Sequence, residues 1–213
     1  MNHFIDLALL LLILTNFLLL GSSRLRTCIR LVAFQGVILG LLPFFFASTM
    51  GWHTTVIALL AMTLKGGVFP WLLLRALGQA SVRREEEPFV GYSTSLLVGV
   101  GALLASLWFD TRLGLRVVVE DGLASPVSFF TILVGLFLLM TRKKALTQIL
   151  GYLVLENGIY AFGITLVRGI PFSVELGVLL DVWVAVFVMV VATYHISRQF
   201  EHTDVDKLNR LKG

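Results

Sequence analysis

Three ionisable side chains sit where the sequence offers them little water. Glu156 stands in Leu153-Val154-Leu155-Glu156-Asn157-Gly158, Asp181 in Gly177-Val178-Leu179-Leu180-Asp181-Val182-Trp183, and Lys65 in Met62-Thr63-Leu64-Lys65-Gly66-Gly67-Val68-Phe69-Pro70-Trp71. Each lies inside a run long and apolar enough to cross a bilayer, where a charge costs at least ~2.5 kcal/mol on insertion scales, so function is the default reading. The chemistry open to such a set is proton exchange. An acid alone at that depth is held neutral by desolvation, whereas a lysine beside it favours the charged form and makes the proton exchangeable. A row of groups with coupled, near-balanced protonation is what a proton path requires. The competing reading is structural: a lysine neutralised by an ion pair that only fixes helix register.

Depth arithmetic decides whether the three can meet. Lys65 is about eleven residues into its span, or about 16 Å at 1.5 Å per residue; Glu156 is about 15 Å and Asp181 about 10 Å from the starts of theirs, all near the middle of a ~30 Å core. The three are therefore expected in one central layer. Gly66, Gly67 and Pro70 follow Lys65, and Pro70 cannot donate to the carbonyl one turn back, so a kink or unwound turn is expected there. Broken helices at membrane depth line cavities or ion sites. Glu175 precedes Asp181 by six residues, pointing roughly 240° round the helix from it, so it is either a mouth residue or a hydrated helix-end acid. Asn157 is read as a helix-to-helix hydrogen bond. His3 and Asp6 near one membrane surface are read as solvated at the boundary, and His53 in a loop, His195 at the end of the last span and His202 in the tail are not expected to make a metal site. The sequence has no P-loop, nucleophile elbow, haem-attachment motif or dinucleotide fingerprint, and no cofactor is expected.

The elements that must carry these residues are transmembrane helices. The chain has 213 residues, 57% of them hydrophobic and 14% charged, with a mean hydropathy of +0.91, outside the range of soluble domains. Its basic residues are dispersed between apolar spans instead of massed on one face, which excludes a nucleic-acid surface despite the pI near 9.5. The single cysteine, Cys28, excludes an intrachain disulfide and a cysteine-held iron–sulfur cluster. The first apolar run has no basic residue before it and is followed by Arg24 and Arg26, the reverse of a cleaved signal peptide, so it is expected to remain as a span.

Seven spans are expected: Phe4 to Leu20, Ile29 to Ser48, Thr54 to Leu77, Tyr92 to Trp108, Pro126 to Thr141, Leu146 to Val167 and Val174 to Ile196. All must be helices, because a lone strand would leave backbone groups unpaired in hydrocarbon. Alternate connections hold Arg24, Arg26 and Arg30; Arg75, Arg83 and Arg84; Arg142, Lys143 and Lys144; and, after the last span, Arg198, Lys207, Arg210 and Lys212. The other side has only Arg112, Arg116 and Arg168, so the N-terminus is expected outside and the C-terminus in the cytoplasm. The run Arg83 to Pro88 reads as solvated linker, and Leu115 to Gly122 as a short strand and turn. Gly36 with Gly40, and Gly101 with Ala105, repeat at four-residue spacing and should let a neighbouring backbone come close. The fold class is an all-α integral membrane protein, a single multi-pass domain over residues 1–213.

The stretch Ile149-Leu150-Gly151-Tyr152-Leu153-Val154-Leu155-Glu156-Asn157-Gly158, then Val174-Glu175-Leu176-Gly177 and Asp181, then the tail Asp204 to Gly213, resembles component E of the hydrogenase-4 and formate hydrogenlyase family. The C-terminal third also resembles the small K subunit of respiratory complex I, which carries two membrane-embedded glutamates on its last two spans. The resemblance implies five N-terminal spans in residues 1–145, a K-subunit-like pair in 146–197 and a cytoplasmic tail in 198–213. The first of those glutamates matches Glu156; the second falls near Asp181, where this chain has the shorter acid. The Lys65 segment resembles component E over the third span.

The resemblance implies a non-catalytic membrane-arm subunit in a prokaryotic cytoplasmic membrane. Its partners would be antiporter-like membrane subunits and peripheral nickel–iron hydrogenase and iron–sulfur subunits. Lys65, Glu156, Asp181 and Glu175 would then contribute to a path for protons or sodium ions. The alternatives are a structural spacer in the same complex, or a free-standing transporter, against which stands the lack of matching broken helices in two halves. An intramembrane enzyme is disfavoured, since no nucleophile and base pair is apparent.

Overall fold

The computed structural model describes residues 2–46, 52–79, 89–113 and 123–166. These residues are helical and contain no strand. Helix α1 is Asn2–Gly21, α2 is Leu25–Phe46 and α3 is Trp52–Thr63; α3 runs through a π-helical turn, Leu64–Val68, directly into α4, Phe69–Gln79. Then follow α5 (Tyr92–Leu113), α6 (Ala124–Thr141) and α7 (Ala145–Leu166). Among the described residues, five stretches are long and apolar enough to cross a membrane: His3–Gly21, Leu25–Leu42, Ala58–Gly78, Tyr92–Arg112 and Ala124–Thr141. The described residues are thus the helices of a multi-pass membrane protein. Helix α7 matches α2 and α5 in length, 22 residues each, and it packs against α6 and α2.

The expected third span is one span in three pieces, and the break expected from Gly66, Gly67 and Pro70 is the π turn. Its extra residue shows in the bond from the Phe69 N–H to the Leu64 carbonyl, five residues back. Pro126 lies in the first turn of α6, where its missing N–H is not needed. The sixth expected span is α7. The seventh, Val174 to Ile196, with Glu175 and Asp181, lies outside the described residues. So do the Arg83 to Pro88 run, the Leu115 to Gly122 segment and the tail.

Lipid tails are as apolar as leucine, so van der Waals fit and polar bonds must hold the helices together. The tightest fit joins α6 and α7. A methyl group on Gly158 would stand 2.6 Å from the Ile132 nitrogen, one on Gly151 would stand 2.7 Å from the Leu139 nitrogen, and one on Gly135 would collide with the Leu155 backbone. Gly36 and Gly40 of α2 do what their spacing suggested: their Cα positions face Lys65 and Met62, and Cβ atoms there would lie 2.7 and 2.6 Å from those residues' Cβ atoms. Gly101 does not; no described atom lies within 4 Å of a methyl built on it. Gly99, two residues earlier in α5, takes that role against Leu20 and Phe17 of α1.

The core is in two parts. One gathers Leu19 and Leu20 of α1, Leu25, Ile29 and Val32 of α2, Phe69, Leu73 and Leu77 of α4, Phe130, Val134 and Leu138 of α6, and Ile149 to Val154 of α7. The other gathers Ile5, Leu9 and Leu12 of α1, Ile38, Leu39 and Leu42 of α2, Ala124 and Val127 of α6, and Tyr160, Ala161 and Ile164 of α7. In α1, α2 and α7 the buried positions between the two include polar side chains: Thr15 and Asn16, Gln35, and Glu156 and Asn157. Lys65 and Thr131 join the same level. A polar layer therefore crosses the helix bundle between two apolar ones.

Candidate functional site

The π turn and α7 supply the charged part of this layer. Lys65 Nζ lies 2.8 Å from Glu156 Oε1, and the two side chains are 3% and 2% exposed. Glu156 and Tyr160 are one turn apart on the same face of α7, and the Lys65 ammonium also sits 4.7 Å from the centre of the Tyr160 ring, in cation–π range. Gly36 of α2 makes room for the lysine stem, and Gly66 for Val37 of α2, whose Cγ2 would lie 2.6 Å from a methyl there. Placing the cation on a π turn, whose ladder is locally re-registered, aims its side chain in a direction that a regular helix through the same flanks would not.

At 2.8 Å the attraction between unit charges is about 6 kcal/mol for an effective dielectric constant of 20. Withdrawing each ion from water costs several kcal/mol, so the pair is near balance rather than deeply bound. Glu156 Oε2 has no hydrogen-bond partner among the described residues, which leaves one carboxylate oxygen able to accept from elsewhere.

The uncharged part of the layer is a chain of amides and hydroxyls. Gln35 Nε2 donates to Thr15 Oγ1 and to Asn16 Oδ1, both at 2.9 Å. Asn16 Nδ2 donates to Thr131 Oγ1 at 2.9 Å, and Asn157 Nδ2 to Gln35 Oε1 at 3.5 Å. Asn157 is therefore a helix-to-helix hydrogen bond, as read from the sequence. Thr15, Asn16, Gln35 and Thr131 were not singled out there; the available signal was that each interrupts an apolar run near mid-span.

At one end of the bundle Arg142 is also buried. Its Nη2 donates to the Leu20 carbonyl at 3.1 Å, its guanidinium lies 4.8 Å from the Tyr92 ring centre, and its own carbonyl accepts from Gln148 Nε2 at 3.0 Å. Within the α6–α7 connection, as counted from the sequence, it caps the last turn of α1, where a cation suits the helix dipole, and ties α1, α5, α6 and α7 together. His3 and Asp6 are exposed. Cys28 is buried, with Sγ 3.8 Å from the Ser22 carbonyl. No three His, Cys, Asp or Glu side chains gather to hold a metal among the described residues.

Comparison with known proteins adds a frame to this geometry. Residues 123–213, which include Glu156, match the family described as NADH-ubiquinone/plastoquinone oxidoreductase chain 4L. The chain is 35% identical over 206 residues to the uncharacterized protein Rv0085 of Mycobacterium tuberculosis, a match covering 94% of this chain and 92% of that one. It is 35% identical over 95 residues to hydrogenase-4 component E of Escherichia coli K12 and of Shigella flexneri, covering 45% of this chain and 43% of theirs. No solved structure matches.

Proposed function

We propose that this chain, which belongs to the same family as Mycobacterium tuberculosis Rv0085 and ends in a chain 4L-like region, is a non-catalytic membrane-arm subunit of a complex I-like, redox-driven hydrogenase assembly. Its buried Lys65 and Glu156, together with Asp181 and Glu175, contribute to a path for protons or sodium ions. The membrane is the cytoplasmic one of a prokaryote. The neighbours are antiporter-like membrane subunits, and the redox chemistry belongs to peripheral nickel–iron and iron–sulfur subunits. The resemblance of residues 123–213 to chain 4L and the 35% identity over 95 residues to hydrogenase-4 component E support the assembly.

One observation carries the ion path: an enclosed lysine and glutamate 2.8 Å apart in a polar layer between two apolar cores. A structural bridge alone would gain as much from two apolar residues of the same volume, since buried ion pairs contribute little net stability. Moving one charge across 100 mV takes ~2.3 kcal/mol, within reach of a pair so near balance. The spacer reading is favoured instead by the direct contact of the two charges, which can fix helix register.

Glu156→Gln and Lys65→Met in the assembled complex separate the two. The readout is ions moved per redox turnover in proteoliposomes, measured with H⁺ and Na⁺ separately. The conduction reading expects turnover to continue while translocation falls at least about tenfold. Full translocation in both variants would leave only the spacer.

A further inference from the structure

The amide chain beside the ion pair does a different job from the pair. Its orientation is fixed by the two threonines at its ends. Thr15 Oγ1 donates to the Leu11 carbonyl at 2.9 Å and Thr131 Oγ1 to the Val127 carbonyl at 2.8 Å, so both hydroxyls have spent their hydrogen and can only accept. The amide nitrogens of Gln35 and Asn16 must therefore face them, and the Asn16 oxygen must face Gln35. Every link then points one way, from Asn157 through Gln35 and Asn16 to Thr131 and the Val127 carbonyl.

This direction matters chemically. Carboxamides neither release nor take up a proton under ordinary conditions, and the chain ends on backbone carbonyls, which cannot pass one on. It is closed: both hydrogens of the Gln35 amide are used, its oxygen accepts from Asn157, and no carboxyl, amine or imidazole stands in it. Yet it joins α1, α2, α6 and α7, and it ends one residue from Glu156. The glycine contacts of Gly135, Gly151 and Gly158 set how closely α7 approaches α6, but a smooth glycine seam does not by itself fix rotation. The hydrogen bond from Asn157 to Gln35 does, because it has one direction. Gln35 is in turn followed by Gly36, the residue on which Lys65 rests.

We infer that Gln35, Asn16 and Asn157, anchored on Thr15 and Thr131, form a positioning clamp that turns α7 so that Glu156 meets Lys65, and that carries no proton itself. The inference rests on the ion-path reading for its importance but concerns the geometry of the pair. Losing the central amide should lower the population of the paired geometry about tenfold, which corresponds to ~1.4 kcal/mol.

The test is the rate at which an apolar carbodiimide labels Glu156 in the membrane-embedded complex, followed by mass spectrometry of the peptide that contains it. Glu156→Gln sets the zero and Lys65→Met the ceiling. Gln35→Leu is expected to raise the labelling rate about tenfold towards that ceiling. Thr131→Val, nearly isosteric, should raise it less but measurably, and Thr131→Ser, which keeps the hydroxyl, should leave it unchanged. Should Gln35→Leu fail to assemble, the Thr131 pair decides. Labelling at the wild-type rate in assembled Gln35→Leu, or in Thr131→Val when Gln35→Leu does not assemble, overturns the clamp, as does equal acceleration by Thr131→Val and Thr131→Ser. Failure of the ion path would show instead as unchanged translocation in Glu156→Gln, whatever the labelling rates.

Discussion

Adding one methyl group at Gly36 should separate the ion pair. The new Cβ would stand 2.7 Å from Lys65 Cβ, 2.9 Å from its carbonyl carbon and 3.0 Å from its carbonyl oxygen. Carbon atoms rest at about 3.5–4.0 Å, so the π turn must retreat from α2 by about 1 Å. No rotamer relieves the clash, because Cβ and the backbone are fixed to the helix. Helix α7 cannot follow, being held to α2 through Asn157 and Gln35. The Lys65 Nζ to Glu156 Oε1 distance, 2.8 Å here, would then open to the edge of ion-pair reach, roughly 4 Å. Overpacking costs ~1–3 kcal/mol, and breaking a buried pair adds to it, so a loss of about 3 kcal/mol or more is expected for Gly36→Ala.

The assay is the thermal midpoint of the detergent-solubilised protein beside Gly101→Ala, the same substitution in α5 where the methyl meets no described atom within 4 Å. At about 2–4 °C per kcal/mol for a chain of this length, Gly36→Ala should melt roughly 6 °C or more below wild type. Gly101→Ala should hold or rise slightly, since alanine favours the helix by ~1 kcal/mol. Equal midpoints for the two variants would refute the reasoning, because they would mean that α2 and the π turn are not in the contact described.

Other expectations are as direct. In a stability cycle, Lys65→Met and Glu156→Gln each strand a buried charged partner and should cost up to ~3–5 kcal/mol, whereas the double variant should be less destabilised than the sum of the singles; additivity measured by thermal midpoints would deny the coupling. Arg142→Leu removes the donor to the Leu20 carbonyl and the stack on Tyr92, and should cost about 1–3 kcal/mol, read as lowered yield and midpoint of the solubilised protein. A fluorescent protein fused after Gly213 should fold and fluoresce in the cytoplasm, while alkaline phosphatase fused before the first span should be active outside; the opposite pattern would invert the topology drawn from the arginines and lysines.

Charge against an apolar background is what made the site legible in sequence. Lys65 and Glu156 stand out because few residues are as costly in hydrocarbon, and counting 1.5 Å per residue from each span's start was enough to place both at one depth. Gln35, Asn16, Thr15 and Thr131 escaped because neutral amides and hydroxyls in a span are commonplace, and their partners are set by helix rotation, which hydropathy does not encode. The α6 to α7 seam was hidden for a related reason: Gly151 and Gly158 are seven residues apart, a spacing that shows as one face only once the partner helix is in place. The π turn was foreseen as a break but not as a re-registered ladder, since glycine and proline mark where regularity ends and not what replaces it. Arg142 lies in the α6–α7 connection where the sequence puts it, but positive-inside counting records only which side of the membrane a residue is on, not that its side chain folds back over its neighbours.

The two apolar cores above and below the pair also act as insulating slabs. Field lines from a charge enclosed between poorly polarisable walls are squeezed into the more polarisable sheet between them and travel farther along it than across it. Any protonation or separation at Lys65 and Glu156 is therefore felt most strongly sideways, in the plane of the bilayer, and least at the two aqueous faces. A bundle layered in this way is wired to broadcast a change in charge to whatever stands beside it.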